Sequence, residues 1–425
     1  MRNSYTTLLG KAVRKIAQMR GGGSALPGLF VEKIDPDFIS RTLAQLPDGV
    51  VVVSGTNGKT TTTKMVVELL ESQGLRVFTN RTGSNFTRGV AASLLGEVDT
   101  KGNLAADIAV LELDEAHAVH FVRAVAPRYS LLLNVMRDQL DRFGEIDTTA
   151  KMLAQIAART TDTVVLNRED PRVSKIAKIL TKQEIRYFGL APGLKKLFPS
   201  DDDMRSAKAP DAKDSQVLAD VTLEAIGGDG ATFAIGDKKV TLSLHLQGVY
   251  NIYNAAAALT LARAIAGEAY DEPKMLAALS QVEPAFGRGE TVTIGGQPCE
   301  LVLVKNPSGF RLSLASFPPE GVSTMIAIND NYADGRDMSW LWDVDFTSLK
   351  EAGVAEVSGV RAYDMALRLQ YDEVAVSHVE PGLAAALQHF INTSSTQPKR
   401  IFCTYTAMLA LRRELAKITD VERVS

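Results

Sequence analysis

The sequence predicts an α/β fold: a P-loop domain with a mostly parallel sheet, followed by a smaller Rossmann-like α/β domain. Three observations carry this. From about residue 46, apolar β-branched runs alternate with helical patterns, the signature of a parallel sheet covered by helices. Near its start, Val51-Val52-Val53 runs into Ser54-Gly55-Thr56-Asn57-Gly58-Lys59-Thr60-Thr61, which is strand, glycine turn and helix start in succession. From about residue 294 a second alternation begins, in a chain whose 425 residues exceed what one core holds.

Along the chain, the first 20 residues carry Arg2, Lys11, Arg14, Lys15 and Arg20 and no acid. Leu8, Leu9, Ala12, Val13, Ile16 and Met19 fall near one helical face, with no signal-peptide core after them. Such a helix either rests near anionic lipid or packs on the next domain with its charges solvated. Residues 1–45 are expected to form this basic helical segment. Gly21-Gly22-Gly23-Ser24 reads as a joint.

The central domain is expected over residues 46–293. Its strands are read at 50–53, 76–79, 108–113, 129–133, 163–166 and 185–188, with helices at 60–74, 88–95, 116–124, 148–159 and 171–180. Residues 191–217 break the pattern with Pro192, Pro199, Pro210 and Asp201-Asp202-Asp203, a surface excursion. Short strands then lead to an alanine-rich helix at 251–266. The last domain, 294–425, carries strands near 300–304, 324–328, 355–357, 373–376 and 400–405.

Composition excludes several classes. The net charge of −3 gives no global field for nucleic acid. Only Cys299 and Cys403 occur, so a disulfide framework is not expected, consistent with a cytoplasmic protein. No apolar run approaches the roughly 18 residues that span a bilayer.

The phosphate cradle follows from the second observation. N–H groups at a helix start point at an anion, and the helix dipole favours its charge. Lys59 reaches terminal phosphates and the Thr60 hydroxyl holds magnesium. The usual loop has a glycine where this chain has Val53, so it is a variant. Glu112 ends an apolar strand in the same sheet, where a carboxylate reaches the magnesium ion. Asp114 and Glu115 read equally as helix N-terminal acids. Asn251 and Asn254 lie on one helical face and offer amides to a nucleotide, or one of them caps the helix. His117 and His120 have metal-binding spacing, but no third ligand is evident beside them.

Gly55-Thr56-Asn57-Gly58-Lys59-Thr60 resembles the ATP loop of the Mur ligase superfamily, which joins a carboxylate to an amine through an acyl phosphate. Arg137-Asp138-Gln139-Leu140-Asp141-Arg142-Phe143-Gly144-Glu145-Ile146-Asp147 and Asn329-Asp330-Asn331-Tyr332-Ala333-Asp334-Gly335-Arg336-Asp337-Met338-Ser339-Trp340 narrow this resemblance to the MurT family, the ligase-like subunits of lipid II isoglutaminyl synthases. The resemblance runs from the N-terminus to about residue 415.

It implies a Mur ligase-like central domain with ATP and Mg2+ as cofactors. Gly55, Thr56, Asn57, Gly58, Lys59, Thr60, Thr61, Asn251, Asn254 and Arg288 would bind ATP, and Thr60 and Glu112 the metal. On sequence alone Arg288 reads equally as a surface arginine. The implied reaction is amidation of the α-carboxyl of D-glutamate in the lipid II stem peptide, in peptidoglycan synthesis, at the inner face of the cytoplasmic membrane.

Ammonia would come from a GatD-type glutaminase subunit. Cys403 sits in a buried-strand context and Cys299 follows Pro298, neither on the sharp turn that a glutaminase nucleophile needs. By the same resemblance Asp337 would complete the partner's Cys-His pair by orienting its histidine. Read without the family, this loop is an acidic, aromatic candidate interface, or a calcium-like or solvated loop.

Two departures from the superfamily stand out. Leu153 occupies the position of a lysine that is carbamylated in several Mur ligases, and Lys151 is out of register. Lys305-Asn306-Pro307-Ser308-Gly309 replaces the usual acidic hinge. Some MurT proteins carry a four-cysteine zinc ribbon near residues 191–217; this chain has no cysteine there, and no zinc is expected. The alternatives are a stand-alone Mur-type ligase resembling folylpolyglutamate synthase, separated by a free amino-acid site, and a nucleotide-gated scaffold, separated by turnover.

Overall fold

The computed structural model describes residues 2–19, 26–80, 86–137, 146–198, 217–227, 230–246, 248–283, 288–335, 337–393 and 396–419. Most of the Arg137–Asp147 motif, most of the 191–217 excursion, Pro284–Gly287 and Arg336 lie outside these residues. The chain divides into two compact units. The first comprises 1–135, 146–246 and 251–282, and the second 136–145, 247–250 and 283–425.

The first unit is built on a sheet whose strands, in chain order, are β1 (Val50–Ser54), β2 (Val77–Thr79), β3 (Ile108–Glu112), β4 (Tyr129–Leu132), β5 (Thr163–Asn167), β6 (Glu184–Leu190), β7 (Val221–Gly227), β8 (Gly230–Ile235) and β9 (Lys238–Ser243). Among the described residues their spatial order is β2-β3-β1-β4-β5-β6-β7-β8-β9. β2 through β7 pair in parallel, and β7-β8-β9 form an antiparallel extension. β1, β3, β4 and β5 are buried along their whole length, as strands covered on both faces must be. This is why they read as continuous apolar runs rather than alternations. From β1 the chain moves to one side of the sheet and then crosses to β4 on the other. The carboxyl end of β1 therefore lies where the winding reverses.

Helices α1 (Arg2–Met19), α2 (Leu26–Ile34), α3 (Phe38–Leu43), α4 (Lys59–Ser72), α5 (Thr87–Glu97), α6 (Glu115–Ala124), α7 (Ile146–Arg159), α8 (Pro171–Ser174), α9 (Val249–Ala266) and α10 (Glu272–Gln281) accompany this sheet, α9 starting two residues before the unit boundary. The helix expected over 171–180 is instead a single α turn passing into a 3-10 segment, Lys175–Ile179. Asp170 starts it by accepting from the N–H groups of Arg172 and Val173.

The N-terminal helix packs on the unit, but not through its leucines. Thr6, Thr7 and Gly10 are buried, while Leu8 and Leu9 face outward. A Cβ at Gly10 would stand 2.6 Å from Leu95 Cδ2 and 2.9 Å from Val31 Cγ2, so the small residue lets α1 approach α2 and α5 closely. Lys11 Nζ donates to the Val98 carbonyl at 2.6 Å.

The second unit carries β10 (Arg288–Ile294), β11 (Gln297–Leu303), β12 (Ser323–Ala327), β13 (Val354–Ser358), β14 (Val376–Glu380) and β15 (Lys399–Cys403), in the order β10-β11-β15-β12-β13-β14. Among the described strands of this sheet only β10 pairs antiparallel, with β11. The boundary expected after residue 293 falls inside the β10–β11 hairpin, which turns on Gly295 and Gly296 at φ 56° and 80°. The strand expected at 373–376 starts later, because Glu373, at φ 57°, is still in the turn. One face of the sheet packs Phe310, Ile326, Trp340, Phe346, Val357, Met365 and Phe402 with α11 (Pro307–Ser316) and α12 (Ala362–Tyr371). The other packs Met325, Leu387, Phe390, Ile401 and Met408 with α13 (Leu383–Thr393) and α14 (Tyr405–Leu415).

Candidate functional site

The first unit concentrates polar side chains at the carboxyl ends of β1 to β5, the edge where parallel sheets bind ligands. β1 ends at Ser54, whose hydroxyl donates to the Leu113 carbonyl at 2.9 Å. Gly55 and Gly58 follow with φ of 133° and 89°, values that L side chains rarely adopt. A Cβ at Gly55 would meet the Asn134 backbone at 3.0 Å; one at Gly58 would meet Asn254 Nδ2 at 2.5 Å. The loop therefore needs glycine at both places, and Asn254 closes over the second. α4 starts directly after Gly58, its N-cap, and the N–H groups of a helix's first turn are of the kind that can bind an anion.

Asn134, just beyond β4, clamps the loop, and nothing in the motif pointed to it. Its Oδ1 accepts from the Asn57 N–H and its Nδ2 donates to the Asn57 carbonyl, both at 2.9 Å; its own carbonyl accepts from the Thr56 N–H at 3.0 Å. Asn167 at the end of β5 extends the pattern, donating to the Leu133 carbonyl at 2.8 Å and accepting from the Tyr253 hydroxyl at 2.6 Å. The available signal was a polar residue directly after each apolar strand.

Lys59 is buried. Its ammonium donates to the carbonyls of Gly55 at 2.6 Å and Thr56 at 3.4 Å, and pairs with Asp114 at 3.2 Å and Glu115 at 3.8 Å. Asp114 and Glu115 do stand at the start of α6, and they also neutralise the loop lysine. Thr60 Oγ1 donates to Glu112 Oε1 at 2.9 Å. The Glu112 main chain is fixed by Asn80, whose amide pairs with its N–H at 3.0 Å and its carbonyl at 2.8 Å. A hydroxyl and a carboxylate side by side at a phosphate loop are the hard oxygen donors that magnesium takes, so these residues fit the ion.

The other expected residues divide. Asn254 touches the loop, and Asn251 lies one turn earlier, half-buried. Thr61 is fully buried. Arg288 opens β10; its side chain lies outside the described part. His117 packs edge-on against Phe86 with ring centroids 4.3 Å apart, and neither it nor His120 joins a set of three metal donors among the described residues. Leu153 is a core residue.

In the second unit, Asp334 accepts from the Thr406 N–H at 2.7 Å and from the Thr406 hydroxyl, and burial pushes its carboxyl up. Asp343 pairs with Arg137 at 2.7 Å, and Asp345 caps the turn at Thr347. Asp337 differs from these. Half-buried, it accepts among the described residues only from Ser339, whose hydrogen bonds hold its carboxyl below the usual range. Cys299 and Cys403 are both buried, and burial pushes their thiols up, to about 12 for Cys299, the reverse of what a thiolate nucleophile needs.

Comparison with known proteins agrees with this layout. Residues 53–262 match the Mur ligase middle domain family and residues 303–408 the MurT ligase C-terminal family. The chain is 31% identical to the lipid II isoglutaminyl synthase (glutamine-hydrolyzing) subunit MurT of Streptococcus pneumoniae, over 98% of this chain and 97% of that one. It is 30% identical to the Staphylococcus aureus subunit of the same name, over 88% and 89%. Among solved structures, MurF ligase of Thermotoga maritima in complex with ADP superposes with a TM-score of 0.67 at 18% identity, covering 90% of this chain and 84% of that one. With near-complete coverage of a MurT relative and both of its domains matched, the chain belongs to the MurT family of Mur ligase-fold proteins.

Proposed function

We propose that the chain is the ATP-dependent ligase subunit of a lipid II isoglutaminyl synthase. The α-carboxylate of D-glutamate in the stem peptide attacks the γ-phosphorus of ATP. ADP leaves and an acyl phosphate forms. Ammonia then attacks the acyl carbon, phosphate leaves, and the nitrogen gives up a proton, yielding D-isoglutamine. The carrying observation is the glycine cradle with Lys59 at its centre and Thr60 against Glu112. Lys59 would exchange part of its contact with Asp114 and Glu115 for the terminal phosphates and offset charge as the phosphoryl group transfers. Thr60 and Glu112 would hold magnesium, which would supply positive charge against the developing phosphate charge. Asn251 and Asn254, on α9 beside the loop, complete the proposed nucleotide contacts.

Ammonia would come from a GatD-type glutaminase, since neither cysteine of this chain suits glutamine hydrolysis. The second unit has features suited to receiving such a partner. On α12 and just before it, Val360, Tyr363, Leu367 and Tyr371 face outward, with Tyr363 and Tyr371 each 70% exposed. Trp342 packs edge-on against Tyr371 at 5.1 Å, and the Arg368 guanidinium lies over Trp342 and donates to the carbonyls of Leu341 and Val344. A rigid aromatic stripe of this kind is typical of an interface core. Asp337, little used by its own chain, is the carboxylate available to orient a partner histidine. At the N-terminus, outward Leu8 and Leu9 with exposed Lys15 suit peripheral contact with anionic lipid.

The test is reconstitution with a GatD-type subunit, ATP, glutamine and lipid II, read by mass spectrometry of the stem peptide and by ADP release. The proposal expects amidated product with glutamine, and with ammonium when the partner is omitted. ATP binding with no product from either nitrogen source makes the chain a nucleotide-gated scaffold. Addition of an amino acid in place of ammonia makes it a stand-alone ligase.

A further inference from the structure

The second unit gathers one set of side chains that the proposed reaction does not use. Glu356 is on β13, His378 is directly opposite it on the neighbouring strand β14, and His389 is on α13. His378 Nδ1 lies 2.9 and 3.1 Å from the two Glu356 oxygens, and His389 Nδ1 lies 2.7 Å from Oε2. The two imidazole ring centroids are 4.1 Å apart, with the ring planes tilted by 36°. Glu356 is fully buried, and among the described residues no lysine or arginine pairs with it. Both histidines are about two-fifths exposed, at 42% and 44% of their side chains.

We propose that Glu356, His378 and His389 form a binding site for a transition-metal dication of the zinc type. Two imidazole nitrogens and one carboxylate select such an ion over magnesium or calcium, which take oxygen donors. All three donor atoms lie within 4.8 Å of one another, so small rotations of the exposed rings bring them around one ion. Two nitrogens and a carboxylate leave a coordination position for water on the exposed side. Thr393 supports the arrangement. Its hydroxyl donates to the His389 carbonyl at 2.8 Å and is 3.4 Å from His389 Nε2, placed to accept from that nitrogen and leave Nδ1 for the metal. The buried carboxylate gains a full counter-charge, and the ion ties edge strand β14 and helix α13 to β13. The expectation of no zinc rests on an excursion without cysteine and on two cysteines too distant for a four-cysteine site, and neither bears on these residues.

The test uses the full chain, stripped with chelator and titrated with Co2+ and Zn2+ in excess Mg2+ to occupy the Thr60/Glu112 site. The expected result is about one ion per chain, with a Co2+ visible spectrum of low coordination number and a rise in Tm on adding Zn2+. His378→Ala and His389→Ala each abolish both effects, while His120→Ala keeps them. In the unsubstituted chain, Zn2+ protects His378 and His389 from diethyl pyrocarbonate, read by peptide mass spectrometry, so the result stands even if a variant misfolds. No ion uptake by the wild type, or uptake unchanged in both variants and no protection, overturns the site.

Discussion

At the scale of single residues, Lys59 is engaged on two sides at once, by loop carbonyls and by the carboxylates of Asp114 and Glu115. Lys59→Ala should reduce ATP-dependent amidation by about 10²-fold or more, the scale seen when one preorganised charge or donor is removed from a transition state. It also leaves the buried Glu115 without its cation, so Tm should fall by the equivalent of about 1–3 kcal/mol while the folded chain still binds its partner. Steady-state kinetics and thermal melts check both; near-normal amidation would remove Lys59 from the phosphate site. Asn134 acts differently, because it holds the loop and not the phosphate. Asn134→Ala deletes two side-chain hydrogen bonds to Asn57 and should cost about 1–3 kcal/mol, appearing chiefly as a raised KM for ATP with a smaller change in kcat. A fall in kcat at unchanged KM would mean that the amide takes part in the chemical step.

At the scale of elements, close packing outweighs intrinsic propensity. Gly28 lies within α2, where alanine is ordinarily favoured by about 1 kcal/mol. A Cβ there would overlap the Arg88 carbonyl oxygen of α5, a backbone atom that cannot swing aside. Gly28→Ala should therefore destabilise the first unit by about 1–3 kcal/mol, against its helix propensity. Chemical denaturation measures this, and an unchanged or higher midpoint would show that α2 and α5 are not held at this distance. The same close approach accounts for α1. Its leucines mark an amphipathic face, yet the packed face is Thr6, Thr7 and Gly10, because small side chains let two helix backbones draw together.

At the scale of the whole molecule, the proposed chemistry is split: the first unit holds the glycine loop with Lys59, the second holds Asp337, bonded among the described residues only to Ser339, and the aromatic stripe. Asp337→Asn in the complex should sharply lower glutamine hydrolysis, because an amide cannot hold a histidine tautomer or stabilise imidazolium as a carboxylate does. Amidation from added ammonium should persist, and so should assembly, since asparagine keeps the shape of the side chain. Parallel assays of glutamate release and ammonium-driven amidation separate the outcomes. Unchanged glutaminase activity would discard the shared site and make Asp343 the next candidate, although Asp343 is already paired with Arg137. Loss of the ammonium-driven reaction as well would place Asp337 in the ligase site.

The sequence by itself determined what local chemistry encodes. β1 was legible as Val51-Val52-Val53 because a doubly covered strand must be apolar throughout, and Gly55 and Gly58 because positive φ excludes other residues. The expectation that Thr60 and Glu112 stand together came from their places on those elements, and the structure puts them 2.9 Å apart. The tertiary structure decided everything that depends on neighbours distant in the chain. Asn134 lies far along the chain from the loop it clamps; its place after an apolar strand is a local signal, but that its amide pairs with the Asn57 peptide group is decided only in space. The boundary between the units is set by β10 pairing with β11, which hairpin register reveals and composition does not. Glu356, His378 and His389 lie on three elements and become a set only when β14 pairs with β13 and α13 packs over them, because strand pairing and helix packing place donor atoms by distance in space and not by spacing in sequence.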